Sequence, residues 1–158
     1  ELRRQRQMCI RDSFQRTMNF FGGEDMTNYV IEANVMTDGN RRIKSEVGLI
    51  NQRYKISLVG NKNVLEVSSN YERVQQAVKF PVKANQWYHL KTHVKNNGDG
   101  TGEVRAKAWT KGEDEPAEWT IKVPVKKLHP HGAPGIYAFS PQAQKRVYID
   151  NIKISAGE

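Results

Sequence analysis

The groups in this chain that could do chemistry are its carboxylates, its four histidines and a basic stretch carrying tryptophans. Retaining glycoside hydrolysis needs two carboxyl groups about 5–5.5 Å apart, one a nucleophile and one a proton donor. On a strand, that means acids at i and i+2 or i+4 of one face. Glu113 and Glu115 have the spacing, but Glu113-Asp114-Glu115-Pro116 reads as a proline-terminated, solvated turn. Glu32, Glu46, Glu66 and Asp150 remain as acids that a fold could assemble across strands. Asp150, within Tyr148-Ile149-Asp150-Asn151-Ile152, is expected to bend or anchor a strand through hydrogen bonds.

His89 and His93 would chelate a metal from one face of a helix. On a strand, four residues span about 13 Å, too far for one ion. His129-Pro130-His131 reads as an exposed loop, and Asp99 lacks the companion carboxylates of a calcium loop. The single cysteine, Cys9, excludes an intramolecular disulfide and any cysteine-rich zinc or iron–sulfur site. No Gly-x-Gly-x-x-Gly and no Gly-Lys-Ser/Thr phosphate loop occurs. The sequence therefore assigns no catalytic residue, no metal and no cofactor.

The most informative constellation is a face. Trp87, His89, Lys91 and His93 alternate with apolar residues, as do Arg105, Lys107 and Trp109. If the two stretches pair through the glycine-rich turn at 96–102, they form one hairpin with a basic, tryptophan-bearing outer side. Flat rings and long hydrogen-bonding side chains suit carbohydrate. Trp87, His89, Lys91, Arg105, Lys107 and Trp109 are thus the candidate ligand contacts, with Arg53 and Tyr54 as additions. The plainer reading is an ordinary solvated face with Trp87 and Trp119 tucked under loops.

These residues need strands to position them, and the chain supplies strands. From Tyr29 onward the apolar period is two. The spacing predicts strands near 29–35, 47–50, 53–59, 64–67, 74–82, 87–94, 103–109, 119–125, 135–139 and 146–154. Turn clusters such as Gly60-Asn61-Lys62-Asn63 separate them. Short strands almost without helical signal predict an all-β, two-sheet antiparallel β-sandwich. Residues 17–158 form the sandwich domain, whereas residues 1–16 show no strand alternation and are expected to be a disordered or non-native tail. Within them, Met8 to Ser13 resembles a peptide encoded by sequencing-adapter DNA.

At 158 residues the chain suits one domain, and no apolar run approaches the ~20 residues of a membrane span. The formal charge is +8, of which residues 1–16 carry +3; the remaining Lys and Arg are scattered among acids. That is a mildly basic surface and not the stripe of a nucleic-acid binder.

Trp87 to Lys91 (WYHLK), Gly102 to Trp109 (GEVRAKAW), Glu115 to Ile121 (EPAEWTI), Gly132 to Pro141 (GAPGIYAFSP) and Val147 to Ile154 (VYIDNIKI) resemble laminin-G-like, concanavalin-type jelly rolls of bacterial proteins. Tyr29 to Met36 and Glu46 to Leu58 fit the same pattern. The resemblance covers roughly residues 18–155 and is specific as an ensemble. It points in particular to the domain accompanying pyrroloquinoline-quinone-type β-propeller repeats in planctomycete-like exported proteins. Related jelly rolls include family-sixteen glycoside hydrolases and 3-keto-disaccharide hydrolase-like domains.

The resemblance implies a non-catalytic accessory module of an exported, periplasmic or extracellular multidomain protein. Its partners would be a carbohydrate or a β-propeller of the same parent chain. The alternative it carries is a glycoside- or 3-keto-glycoside-hydrolase-like enzyme. It also implies an N-terminally truncated domain, because further strands would precede Tyr29.

Overall fold

A computed structural model describes residues 6–9, 15–140 and 146–158. Twelve strands are formed: β1 (Arg6–Cys9), β2 (Gln15–Phe20), β3 (Tyr29–Thr37), β4 (Glu46–Asn51), β5 (Tyr54–Val59) and β6 (Val64–Ser69), followed by β7 (Val74–Lys79), β8 (Tyr88–Asn96), β9 (Gly102–Thr110), β10 (Ile121–Val125), β11 (Gly135–Ser140) and β12 (Arg146–Ala156). They make two six-stranded sheets, ordered β1-β12-β3-β8-β9-β10 and β2-β11-β4-β5-β6-β7. Every pairing is antiparallel. Among the described residues there is no helix long and apolar enough to cross a membrane.

The two-residue period builds the core directly, because alternate side chains of each strand point to one side. Ile31, Ala33, Val35, Leu90, Val94, Val104 and Ala106 of the first sheet are fully buried. So are Leu49, Ile56, Leu58, Leu65, Val67, Ile136 and Ala138 of the second, and both sets belong to one cluster. The expected all-β sandwich is the fold observed.

Details differ from the strands expected. Two strands, β1 and β2, precede Tyr29. That segment escaped notice because its apolar residues are turned outward: Met18 and Phe20 are 47% and 57% exposed, so no core-facing stripe is written there. Arg53 leaves the strand assigned to it and enters the β4–β5 turn, where Gln52 and Arg53 have φ of 50° and 71°. This is the two-residue hairpin geometry normally given to Asn-Gly. Pro124 is accommodated because β10 pairs only with β9, leaving a free edge for a residue without an N–H. Near Asp150 the register shifts; Asn151 takes φ 53° and its N–H donates to Asp150 Oδ1 at 2.8 Å. Asp150 thus serves a bulge that bends the last strand.

Candidate functional site

The hairpin read from the sequence forms in the expected register. His89 pairs with Trp109, Lys91 with Lys107, and His93 with Arg105. The outer side of the first sheet therefore does bring His89, Lys91, Arg105, Lys107 and Trp109 together. Trp87 lies just before β8, its ring 6.4 Å from that of Tyr148 and 5.5 Å from Lys111 Nζ.

The charges of this face are already spent. His89 bonds Asn34 Oδ1 through Nδ1 at 2.8 Å and Glu32 Oε2 through Nε2 at 3.0 Å. Lys91 Nζ donates to Glu115 Oε1 at 2.9 Å, and Lys107 Nζ lies 3.5 Å from the same oxygen. Lys107 also donates to Pro116 O at 2.8 Å, lies 5.0 Å from the Trp119 ring, and is buried. Arg105 Nε donates to Glu103 at 2.6 Å. The exposed turn at Glu113–Pro116, expected to be solvated, supplies Glu115 and Pro116 to this face. Its Glu115 carboxyl is held below the usual range, chiefly by the hydrogen bond from Lys91. Glu32 is lowered in the same way, chiefly by the hydrogen bond from His89.

Arg53 and Tyr54 do not join that face; they belong to the second sheet. Tyr54 is 1% exposed, a core residue whose Oη accepts the His129 N–H at 3.2 Å. Alternation decides this, since Tyr54, Ile56 and Leu58 share the inward side of β5.

The outer side of the second sheet holds a groove of about 430 Å³ that periodicity did not reveal. Pairing sets its rows. Met18, Tyr137, Gly48, Ser57 and Glu66 lie side by side across five strands. In the neighbouring row stand Phe20, Gly135, Ile50, Lys55 and Ser68. Two glycines stand in these rows where the strands pack closely. A Cβ on Gly48 would come within 2.7 Å of Ser57 Cβ, and one on Gly135 within 3.0 Å of Phe20 Cδ1. Tyr137, 1% exposed, lines the groove, with Lys55 Nζ 4.5 Å from its ring centre. Lys55 Nζ donates to Glu46 Oε1 at 2.9 Å, and Ser57 Oγ donates to the same oxygen at 2.6 Å.

Arg53 stands at one end of the groove and Arg16 at the other, the latter 5.6 Å from the Phe139 ring. Neither makes an ion pair with a carboxylate among the described residues.

The turn presenting Arg53 is fixed from beneath. Gln52 is completely buried; its N–H donates to Tyr29 Oη at 2.7 Å, and its side-chain amide donates to His129 O. Gln52 Oε1 accepts from Thr27 Oγ1 and Asn28 N, each at 3.3 Å. Burial pushes the Tyr29 hydroxyl up to about 12, so it stays a neutral donor, to Gly132 O at 2.8 Å. Asn51 beside it donates to Tyr29 O and Thr92 O, tying the two sheets together.

His129, expected to be exposed, is 6% exposed and packed between Tyr54 and Tyr71, with ring centres at 4.9 and 4.6 Å. Its Nε2 lies 3.0 Å from Ser69 Oγ at the groove's rim. A serine–histidine pair is the start of a nucleophile, which further needs a group to orient the ring. Among the described residues no carboxylate bonds His129, and Ser69 Oγ accepts the Tyr71 N–H at 3.3 Å. Burial, with Arg53 nearby, keeps this imidazole below its usual pKa. Of the acids left open by the sequence, Glu32 and Asp150 lie on the first sheet and Glu46 and Glu66 on the second. No three His, Cys, Asp or Glu side chains gather around a metal position among the described residues.

No family model and no curated protein matches the chain. Solved structures do, at the level of the fold. The carbohydrate binding module CBM66 from Bacillus subtilis superposes with a TM-score of 0.57 at 14% identity, over 96% of this chain and 92% of its own. The exoplasmic/lumenal domain of VIP36, in its Ca2+/Man3GlcNAc-bound form, gives 0.62 at 10% identity, over 98% and 84%. Alginate lyase Aly36B, in complex with alginate tetrasaccharide, gives 0.61 at 8% identity, over 98% and 82%. This chain has the jelly-roll sandwich architecture of these proteins.

Proposed function

We propose that this chain is a non-catalytic carbohydrate-binding sandwich module whose ligand lies in the groove of the second sheet. The observation that carries this reading is a groove lined by the exposed Phe20 together with Lys55, Ser68 and Arg53. An aromatic surface packs on the C–H face of a sugar ring, and the polar groups around it take the hydroxyls. Two of the similar structures are saccharide complexes, which supports the same class. The wider setting of this reading is an accessory domain of an exported, periplasmic or extracellular protein, beside a β-propeller where the parent chain has one.

Calorimetric titration with a panel of neutral and charged oligosaccharides tests it, using one variant per face. Phe20→Ala is expected to weaken binding by about tenfold, the size of a lost aromatic contact. Trp109→Ala, on the first sheet, is expected to leave affinity within about twofold. The reverse pattern would move the ligand to the face made by Trp87, His89, Lys91, Arg105, Lys107 and Trp109. Silence across the panel would leave only the packing role.

The hydrolase alternative requires two carboxyl groups free to act across one bond. Against it stands Glu46, whose Oε1 is occupied by Lys55 and Ser57.

A further inference from the structure

On the first sheet Lys91 and Lys107 share Glu115, Arg105 takes Glu103, and Lys153 Nζ lies 3.9 Å from Glu32. The groove of the second sheet has a basic lining. Its lining contains Arg16, Arg53 and Lys55 and no acid. Glu46, which bonds Lys55, and Glu66, in the row of Tyr137, stand on the same side of the sheet but outside the lining. Arg16 and Arg53 thus line this cavity without an ion pair to any carboxylate among the described residues.

From this charge pattern we infer that the groove selects anionic saccharides, those carrying carboxylate or sulfate groups. The inference rests on the carbohydrate reading of the same groove and adds the substrate class. Arg53 is the residue built for the task. A guanidinium offers a planar pair of donors that match a carboxylate or sulfate two-to-two. Its backbone sits at φ 71°, a region non-glycine residues seldom occupy, and the buried Gln52 network holds it there. Backbone kept in such a conformation by its surroundings is characteristic of positions where direction matters. Lys55, on β5 just beyond the turn, adds a second positive group to the lining. Phe20, across the groove, offers the sugar ring an apolar wall, while Ser68, opposite Lys55, offers a hydroxyl.

The two sources of negative charge are separated by three titrations of the full chain: a polyuronate oligosaccharide, a sulfated galactan oligosaccharide and a neutral glucan oligosaccharide. One or both anionic ligands should bind more tightly than the neutral one, and their affinity should fall as sodium chloride is raised. Whichever of the two binds names the group recognised. Arg53→Gln should weaken the anionic ligand by about tenfold or more, the usual weight of a charged hydrogen bond. The neutral ligand, which offers Arg53 no charge, should lose less than the anionic one. Lys122→Gln, which removes an exposed charge from β10, is the control and should change nothing.

If the neutral glucan binds as well as the anionic ligands and Arg53→Gln is without effect, the anionic inference falls while the carbohydrate reading stands. If none of the three binds, both fall. A thermal transition unchanged in Arg53→Gln keeps a loss of affinity from being read as a loss of fold.

Discussion

His93 and His129 are both buried, and burial is the leading reason each holds its proton less tightly than a free imidazole. Arg105 and Lys95 push His93 the same way, opposed by Glu158; Arg53 pushes His129 down, opposed by Glu72. A histidine with a depressed folded-state pKa binds its proton more readily once unfolded. Its contribution to stability is therefore complete above the unfolded value, near 6.5, and is lost as pH falls through the folded one. Melting temperature should accordingly drop between about pH 7.5 and about pH 5.5, a window above the range where carboxylates such as Glu32 titrate. The double variant His93→Gln, His129→Gln should show a shallower drop over that window by differential scanning calorimetry. Parallel curves for the two proteins would assign the acid sensitivity elsewhere.

At the scale of elements, the β4–β5 turn joins the fold to the site. Gln52 and Arg53 adopt left-handed backbone without being glycine or asparagine, and Gln52, Tyr29 and Asn51 form the buried polar frame that keeps them so. Asparagine tolerates this conformation better than arginine does. Arg53→Asn should therefore keep the fold as stable as before or raise it by up to about 1 kcal/mol in urea denaturation. The same change should remove the binding that depends on the guanidinium. Loss of stability together with loss of binding would make Arg53 a structural residue of the turn. The turn also marks where sequence reading failed. The alternating run that begins at Tyr54 extends the expected strand back to Arg53; nothing in Gln-Arg announces a hairpin, because the support comes from Tyr29 and His129, far away in the chain. The hairpin of β8 and β9 was legible for the opposite reason. Its two strands are adjacent in sequence and the glycine-rich turn sets their register, so His89 and Trp109 could be matched without coordinates. What could not be read was Glu115 folding back from beyond β9 to neutralise the face.

Across the whole molecule, alternation from Tyr29 onward was enough to foresee two packed sheets, since burying one side of each strand leaves few other arrangements. The order of strands was not legible, and the groove depends on that order. Tyr137 meets Met18 only because β2 pairs with β11, joining segments near opposite ends of the chain. The stretch before residue 21 contributes an edge strand to each sheet, β1 against β12 and β2 against β11, although its outward-facing Met18 and Phe20 hid it from pattern reading. A chain shortened to begin at Phe21 tests this placement. It would expose the β11 edge, uncover Tyr137 and remove one wall of the groove. Hydrogen bonds along β2 are each worth about 0.5–1.5 kcal/mol net, so the loss should reach at least about 2 kcal/mol in chemical denaturation. Saccharide binding should disappear with it. A shortened chain that melts and binds like the full one would show that the first twenty residues belong neither to the sandwich nor to its site.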